Sequence, residues 1–133
     1  MLFGISFWWV LLSVIAYFGI GAVWYSPALF AKPWMEEIKR KKADMSMAAS
    51  AMVTTFLCMV VLVLVEAWLV QATGTVGWLG GARLGLLIWF GFVATTALVN
   101  SSFQGGSKKL FAIDQGYHLV GVVLTGAILA QSI

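Results

Sequence analysis

The sequence predicts an all-α membrane protein: a single domain (residues 1–133) forming a bundle of four transmembrane helices, with a short interfacial helix between the first and second. Four uncharged stretches carry that reading, from Met1 to Ala31, Met45 to Val65, Leu84 to Ser107 and Gln115 to Ile133. A helix needs roughly 20 apolar residues to cross about 30 Å of hydrocarbon, and each stretch is of that order. Composition agrees, because 62% of the residues are hydrophobic and 10% charged, more apolar surface than a soluble domain of this size can bury. The runs are continuous instead of alternating, which excludes a transmembrane β-barrel.

The first helix is expected over about residues 3–24. No basic region precedes it and no small-residue cleavage site follows a short apolar run, so it reads as a retained span. At its end, Trp24-Tyr25-Ser26-Pro27 predicts a break, since proline disfavours helix in the residue before it. The interfacial segment, about residues 28–42, has Leu29, Phe30, Trp34, Met35 and Ile38 at helical spacing and a basic end from Lys39 to Lys42. That pattern suits a helix lying on a membrane surface. The second helix is expected over about residues 45–71, with Asp44 or Ser46 as its cap. The third is expected over about residues 81–100 and the fourth over about 110–132.

The formal net charge of +3 matters less than its location. Lys32, Lys39, Arg40, Lys41 and Lys42 lie between the first and second stretches, Lys108 and Lys109 between the third and fourth, and Arg83 alone between the middle pair. The bias of basic residues toward the cytoplasm predicts a multi-pass membrane protein with both termini outside. Trp8, Trp9, Trp68 and Trp78 would form one interfacial belt, and Trp24, Tyr25, Trp34 and Tyr117 the other.

On helical wheels each span shows a seam of small and polar residues. Ser6, Val10, Ser13, Tyr17 and Trp24 align in the first; Ala48, Ala51, Thr55, Cys58, Leu62 and Glu66 in the second; Ala82, Gly85, Trp89, Val93, Thr96 and Asn100 in the third; Asp114, His118, Gly121, Thr125, Ile128 and Ser132 in the fourth. Small residues let membrane helices approach and hydroxyls bond across the gap, so the four seams are expected to meet in the bundle axis. Gly81-x-x-x-Gly85 is a second packing signal, available to this bundle or to a homodimer.

Ionisable residues inside spans are costly and point toward function. Glu66 and Arg83 are expected at one level, as a structural ion pair. Asp114 and His118 stand one turn apart, which lets the carboxylate orient the imidazole. With Tyr17, Asn100 and Tyr117, Glu66, Asp114 and His118 make the candidate polar axis or ligand site; Trp24, Tyr25, Ser26, Pro27 and Trp34 make a candidate interfacial motif. One His and the lone Cys58 offer no metal or haem set, and no phosphate loop, nucleophile elbow or paired-cysteine redox motif occurs, so no cofactor, metal or catalytic residue is predicted. The basic run beside a span is assigned to anionic lipid and topology, not to nucleic acid.

The residues Gly21-Ala22-Val23-Trp24-Tyr25-Ser26-Pro27, Leu29-Phe30, Lys32 to Met35, Asn100, Lys109-Leu110-Phe111, Gly116-Tyr117-His118-Leu119 and Gly126-Ala127-Ile128-Leu129 give the chain a resemblance to the bacterial membrane proteins grouped as domain of unknown function 1761 (DUF1761). Gln104-Gly105-Gly106 departs from the more charged loop expected there. The resemblance implies four helices, a place in the bacterial cytoplasmic (inner) membrane, and no particular activity. The leading expectation is a non-enzymatic helical subunit that contacts membrane lipids and self-associates or joins a larger membrane complex. The alternatives are a small oligomeric transporter or channel using the polar axis, and a lipid- or quinone-binding membrane enzyme.

Overall fold

A computed structural model describes residues 4–38 and 48–131. Its elements are α1 (Phe7–Trp24), α2 (Ala31–Ile38), α3 (Ala48–Ala72), α4 (Gly77–Ile88), a π-helical segment (Trp89–Ala94), α5 (Thr95–Gln104) and α6 (Lys108–Gln131). Four candidate spans result: α1, most of α3, the continuous Gly77–Gln104 stretch, and α6. Lys39, Arg40, Lys41, Lys42, Asp44 and Ser46, with the cap and charge roles expected of them, lie outside the described residues, as does Ser132.

Local chemistry sets each turn. After α1, the amide of Tyr25 bonds to Gly21, that of Ser26 to Val23 and that of Phe30 to Trp24, so the chain folds back through Pro27 in a hydrogen-bonded loop. Pro33 sits in the first turn of α2, where its missing amide proton leaves no bond broken. α3 stops at Gly74, whose φ of 65° permits bonds from Gly74 to Gln71 and from Thr75 to Val70. Ser107 then caps α6, its Oγ accepting from the amides of Lys109 and Leu110 at 3.1 and 3.2 Å. The third span therefore begins a turn earlier than expected, at Gly77, and runs on to Gln104.

α6 is the central helix. It packs most extensively on α4 and also on α1 and α3. The α4–α6 contact is backbone to backbone: a Cβ at Gly81 would fall on the carbonyl of Gly126, and one at Gly85 on that of Val122. The Gly81-x-x-x-Gly85 signal thus serves this bundle's own core. Val10, Val14 and Tyr17 of α1, Met59, Val63, Ala67 and Val70 of α3, and Tyr117, Val122, Leu129 and Ala130 of α6 complete it.

Two of the four expected seams need correction. Ser13, Tyr17, Gly121 and Thr125 are buried as expected, but Ala51, Thr55 and Cys58 of α3 are exposed. The buried stripe there is Met59, Val63, Glu66, Ala67 and Val70, turned by one residue from the expected line. In the third span Gly85 is buried, yet Thr96 and Asn100 are exposed. No residue of the π segment or of α5 is buried, so this half of the span packs too little on the bundle to have an inward face.

Candidate functional site

A column of polar side chains runs along the inward face of α6. At the basic end, which carries Lys32, Lys108 and Lys109, Asp114 Oδ1 accepts a 2.6 Å bond from the Tyr25 hydroxyl. Burial first, and then this bond to a carboxylate, raise the Tyr25 pKa above the usual tyrosine value, so the phenol remains a donor through the physiological range. Beside it, Trp24 Nε1 donates to the carbonyl of Ile113 at 2.9 Å and Trp34 packs edge-on to Tyr25. The interfacial motif is therefore a clamp holding the loop after α1 onto α6. Ser26 acts within it, its Oγ donating to Val23, while Pro27 is exposed.

One turn deeper, the Tyr17 hydroxyl and His118 Nδ1 are hydrogen-bonded at 2.6 Å, with the hydroxyl donating when the imidazole carries its proton on Nε2. The Tyr117 hydroxyl donates to the backbone carbonyl of Tyr17 at 3.0 Å. Glycines make room for these rings. A Cβ at Gly121 would enter the Tyr17 ring, one at Gly21 would meet the Tyr117 hydroxyl, and one at Gly116 would press on Trp24.

Deepest of all, Glu66 is 1% exposed and bonded through Oε1 to the Thr125 hydroxyl. Its Oε2 has no hydrogen-bond partner among the described residues, and neither has the buried Ser13 Oγ. Thr125 Oγ1 also lies 2.9 Å from the carbonyl of Gly121. A hydroxyl has one proton and a carbonyl can only accept. With Glu66 ionised the hydroxyl shares its one proton between the carboxylate and the carbonyl, whereas a protonated Glu66 supplies a second proton and gives each contact its own.

From Asp114 to Thr125 the column climbs about 16 Å at 1.5 Å per residue, roughly half the hydrocarbon thickness. Beyond Thr125 it ends against Val70, Leu129 and Ala130, all fully buried. Its open side is the basic end, where Tyr25 and Asp114 are half-buried.

Five residues expected on the polar axis are thus brought together: Tyr17, Glu66, Asp114, Tyr117 and His118. Asn100 is not among them, being exposed near the basic end of α5. The Glu66–Arg83 ion pair is corrected as well. Gly81 and Gly85 face α6, whereas Arg83, two positions from each, is turned to the exposed flank of the α4–α6 pair while Glu66 bonds to Thr125. Sequence reasoning placed Ser13 and Thr125 in seams without assigning them to the site. The same holds for Trp89, whose Nε1 donates to the carbonyl of Gln115 at 2.9 Å, whereas Met59, whose Sδ is 3.6 Å from the Tyr117 hydroxyl, was missed. The glycines at 21, 116 and 121 were the available signal for the aromatic packing. Among the described residues no group of three or more His, Cys, Asp or Glu side chains is placed to hold a metal ion.

Fold and site define a multi-pass helical membrane protein with a buried protonatable column. The chain belongs to the family described as Protein of unknown function (DUF1761), whose model matches residues 8–130. No curated protein and no solved structure matches it.

Proposed function

We propose that this protein is a non-enzymatic subunit of a membrane assembly that handles a proton: Glu66 takes up and releases one deep in the bundle, in exchange with the basic face by way of His118, Tyr17, Asp114 and Tyr25. The single observation supporting this is the Thr125 hydroxyl poised between the Gly121 carbonyl and the Glu66 carboxyl, an arrangement whose bonding depends on whether the carboxyl carries a proton. An ionisable residue buried within a span is costly, and such residues mark proton and ion pathways. The packed core of Val63, Val70, Val122 and Leu129 leaves solute passage to an assembly, not to one bundle. The basic residues favour a cytoplasmic-membrane orientation with both termini outside, so that the column would open toward the cytoplasm.

Infrared difference spectroscopy of the protein in lipid vesicles tests the reading. A carbonyl band of a buried carboxylic acid that changes with pH and is absent in Glu66→Gln is the expected result. A spectrum that pH leaves unchanged, or a pH-sensitive band retained in Glu66→Gln, overturns it.

Exposure along the third span favours a second element of the reading, self-association. Of its residues only Gly81 and Gly85 are buried within the bundle, and Thr96 and Asn100 face outward. Amide and hydroxyl groups on lipid-facing helices are the usual adhesives between membrane helices. Mass measurement in nanodiscs is expected to give an oligomer that Asn100→Leu weakens; monomer alone refutes self-association.

A further inference from the structure

The outer flank of the α4–α6 pair carries a feature that the polar column does not use. Trp78, Ala82, Arg83 and Leu86 of α4, with Val120 and Val123 of α6 among its other walls, line a groove of about 560 Å³ open to the outside of the bundle. That lies within the roughly 300–1,000 Å³ typical of small-molecule sites. Every lining side chain is apolar except Arg83. Because Gly81 and Gly85 lock α4 onto α6 through their backbones, the groove is a fixed surface instead of a gap between mobile helices.

Arg83 stands six residues into the third span, about 9 Å below Gly77 along the helix. It is exposed, and among the described residues no carboxylate pairs with it. A guanidinium at that depth extends its stem toward the headgroups and seeks an anion there. Trp78, more than a turn nearer the membrane surface on the same wall, has the amphipathic ring typical of headgroup level. An apolar trough with an exposed arginine on its α4 wall fits an acyl chain attached to a phosphate.

We propose that this groove seats an anionic phospholipid of the leaflet at the Gly77 end, one acyl chain lying between α4 and α6 and the phosphate held by Arg83. Charge complementarity selects the lipid. A phosphatidylcholine headgroup carries its own cation beside the phosphate, whereas phosphatidylglycerol offers an uncompensated anion that a guanidinium grips with two parallel bonds.

Native mass spectrometry of the full chain, released from micelles containing dioleoylphosphatidylglycerol and dioleoylphosphatidylcholine in equal amounts, tests the proposal. The expected spectrum shows one phosphatidylglycerol retained in preference to phosphatidylcholine. Arg83→Ala is expected to lower that preference about tenfold or more, as loss of a charge-assisted bond implies, with Arg83→Lys intermediate. Ala82→Phe, which fills the groove and leaves the charge, is expected to release the lipid too, and excess glycerol phosphate is expected not to displace it. Equal retention of the two lipids by the natural chain, or an unchanged preference in Arg83→Ala, overturns the proposal. Retention in Ala82→Phe, or displacement by glycerol phosphate, reduces the site to a surface ion contact and overturns the groove as its seat.

Discussion

Where Gly81 meets Gly126, helices touch through their backbones; farther along the same third span, from Phe90 toward Gln104, side chains are mostly exposed and Phe103 reaches 90%. α3 divides likewise, exposed from Ala49 to Cys58 and buried along one stripe from Met59 to Val70. Both regions belong to apolar spans. Lipid tails are as apolar as leucine, so hydrophobicity alone does not draw one membrane helix onto another. In the third span, what separates the regions is glycine on both sides of the Gly81–Gly126 contact and the lack of any such pairing farther along.

Substitutions that add bulk break this comparison most severely. Gly81→Leu forces side-chain atoms into the Gly126 carbonyl, and a loss toward or beyond the upper end of the ~1–3 kcal/mol typical of overpacking is expected, read as unfolding in a detergent titration. Gly91→Ala, in the exposed half, meets nothing and is expected to be neutral or to stabilise by up to about 1 kcal/mol. Comparable losses at the two positions would show that the contrast is false.

Polar substitutions sharpen it. Thr125→Val leaves the buried Glu66 without its hydroxyl partner and is expected to cost about 1–3 kcal/mol. Thr55→Val and Thr96→Val, on exposed faces, are expected to stay within about 0.5 kcal/mol. Between these, Tyr117→Phe removes the bond to the Tyr17 carbonyl and is expected to cost about 1 kcal/mol. The smallest effect concerns pH. The Tyr25 pKa is raised on folding, so the folded chain holds that proton more tightly than the unfolded one. The contribution is complete below the ordinary tyrosine pKa of about 10 and is lost as pH rises through the folded value. A stability profile falling at alkaline pH, and flattened in Tyr25→Phe, is the expected observation.

The four spans were legible because length and hydropathy answer to bilayer thickness. The break at Trp24 was legible because Pro27 dictates it. The faces were legible only where a seam contained residues that need partners or space: Tyr17, Glu66, Gly121 and Thr125 lined up as read. Thr55, Thr96 and Asn100 misled the wheel for two reasons. First, a hydroxyl in a span can bond to a carbonyl of its own helix, as Thr95 does to Gly91 at 2.8 Å and Ser102 to Leu98 at 2.8 Å, and so tolerates an outward position. Second, the stretches holding these residues, Ala49 to Cys58 and Trp89 to Gln104, have no buried face for any wheel to find. Arg83 misled for a simpler reason, since matching depth with Glu66 does not make matching azimuth.

Cys58 gains a use from its outward direction. It is the chain's only cysteine, and it lies exposed near the middle of α3. A nitroxide attached there would sample the acyl region with no engineered thiol and without entering the core. In an assembly of identical copies, the dipolar coupling between such labels would measure their separation, so the native chain already carries the ruler needed to find its neighbours.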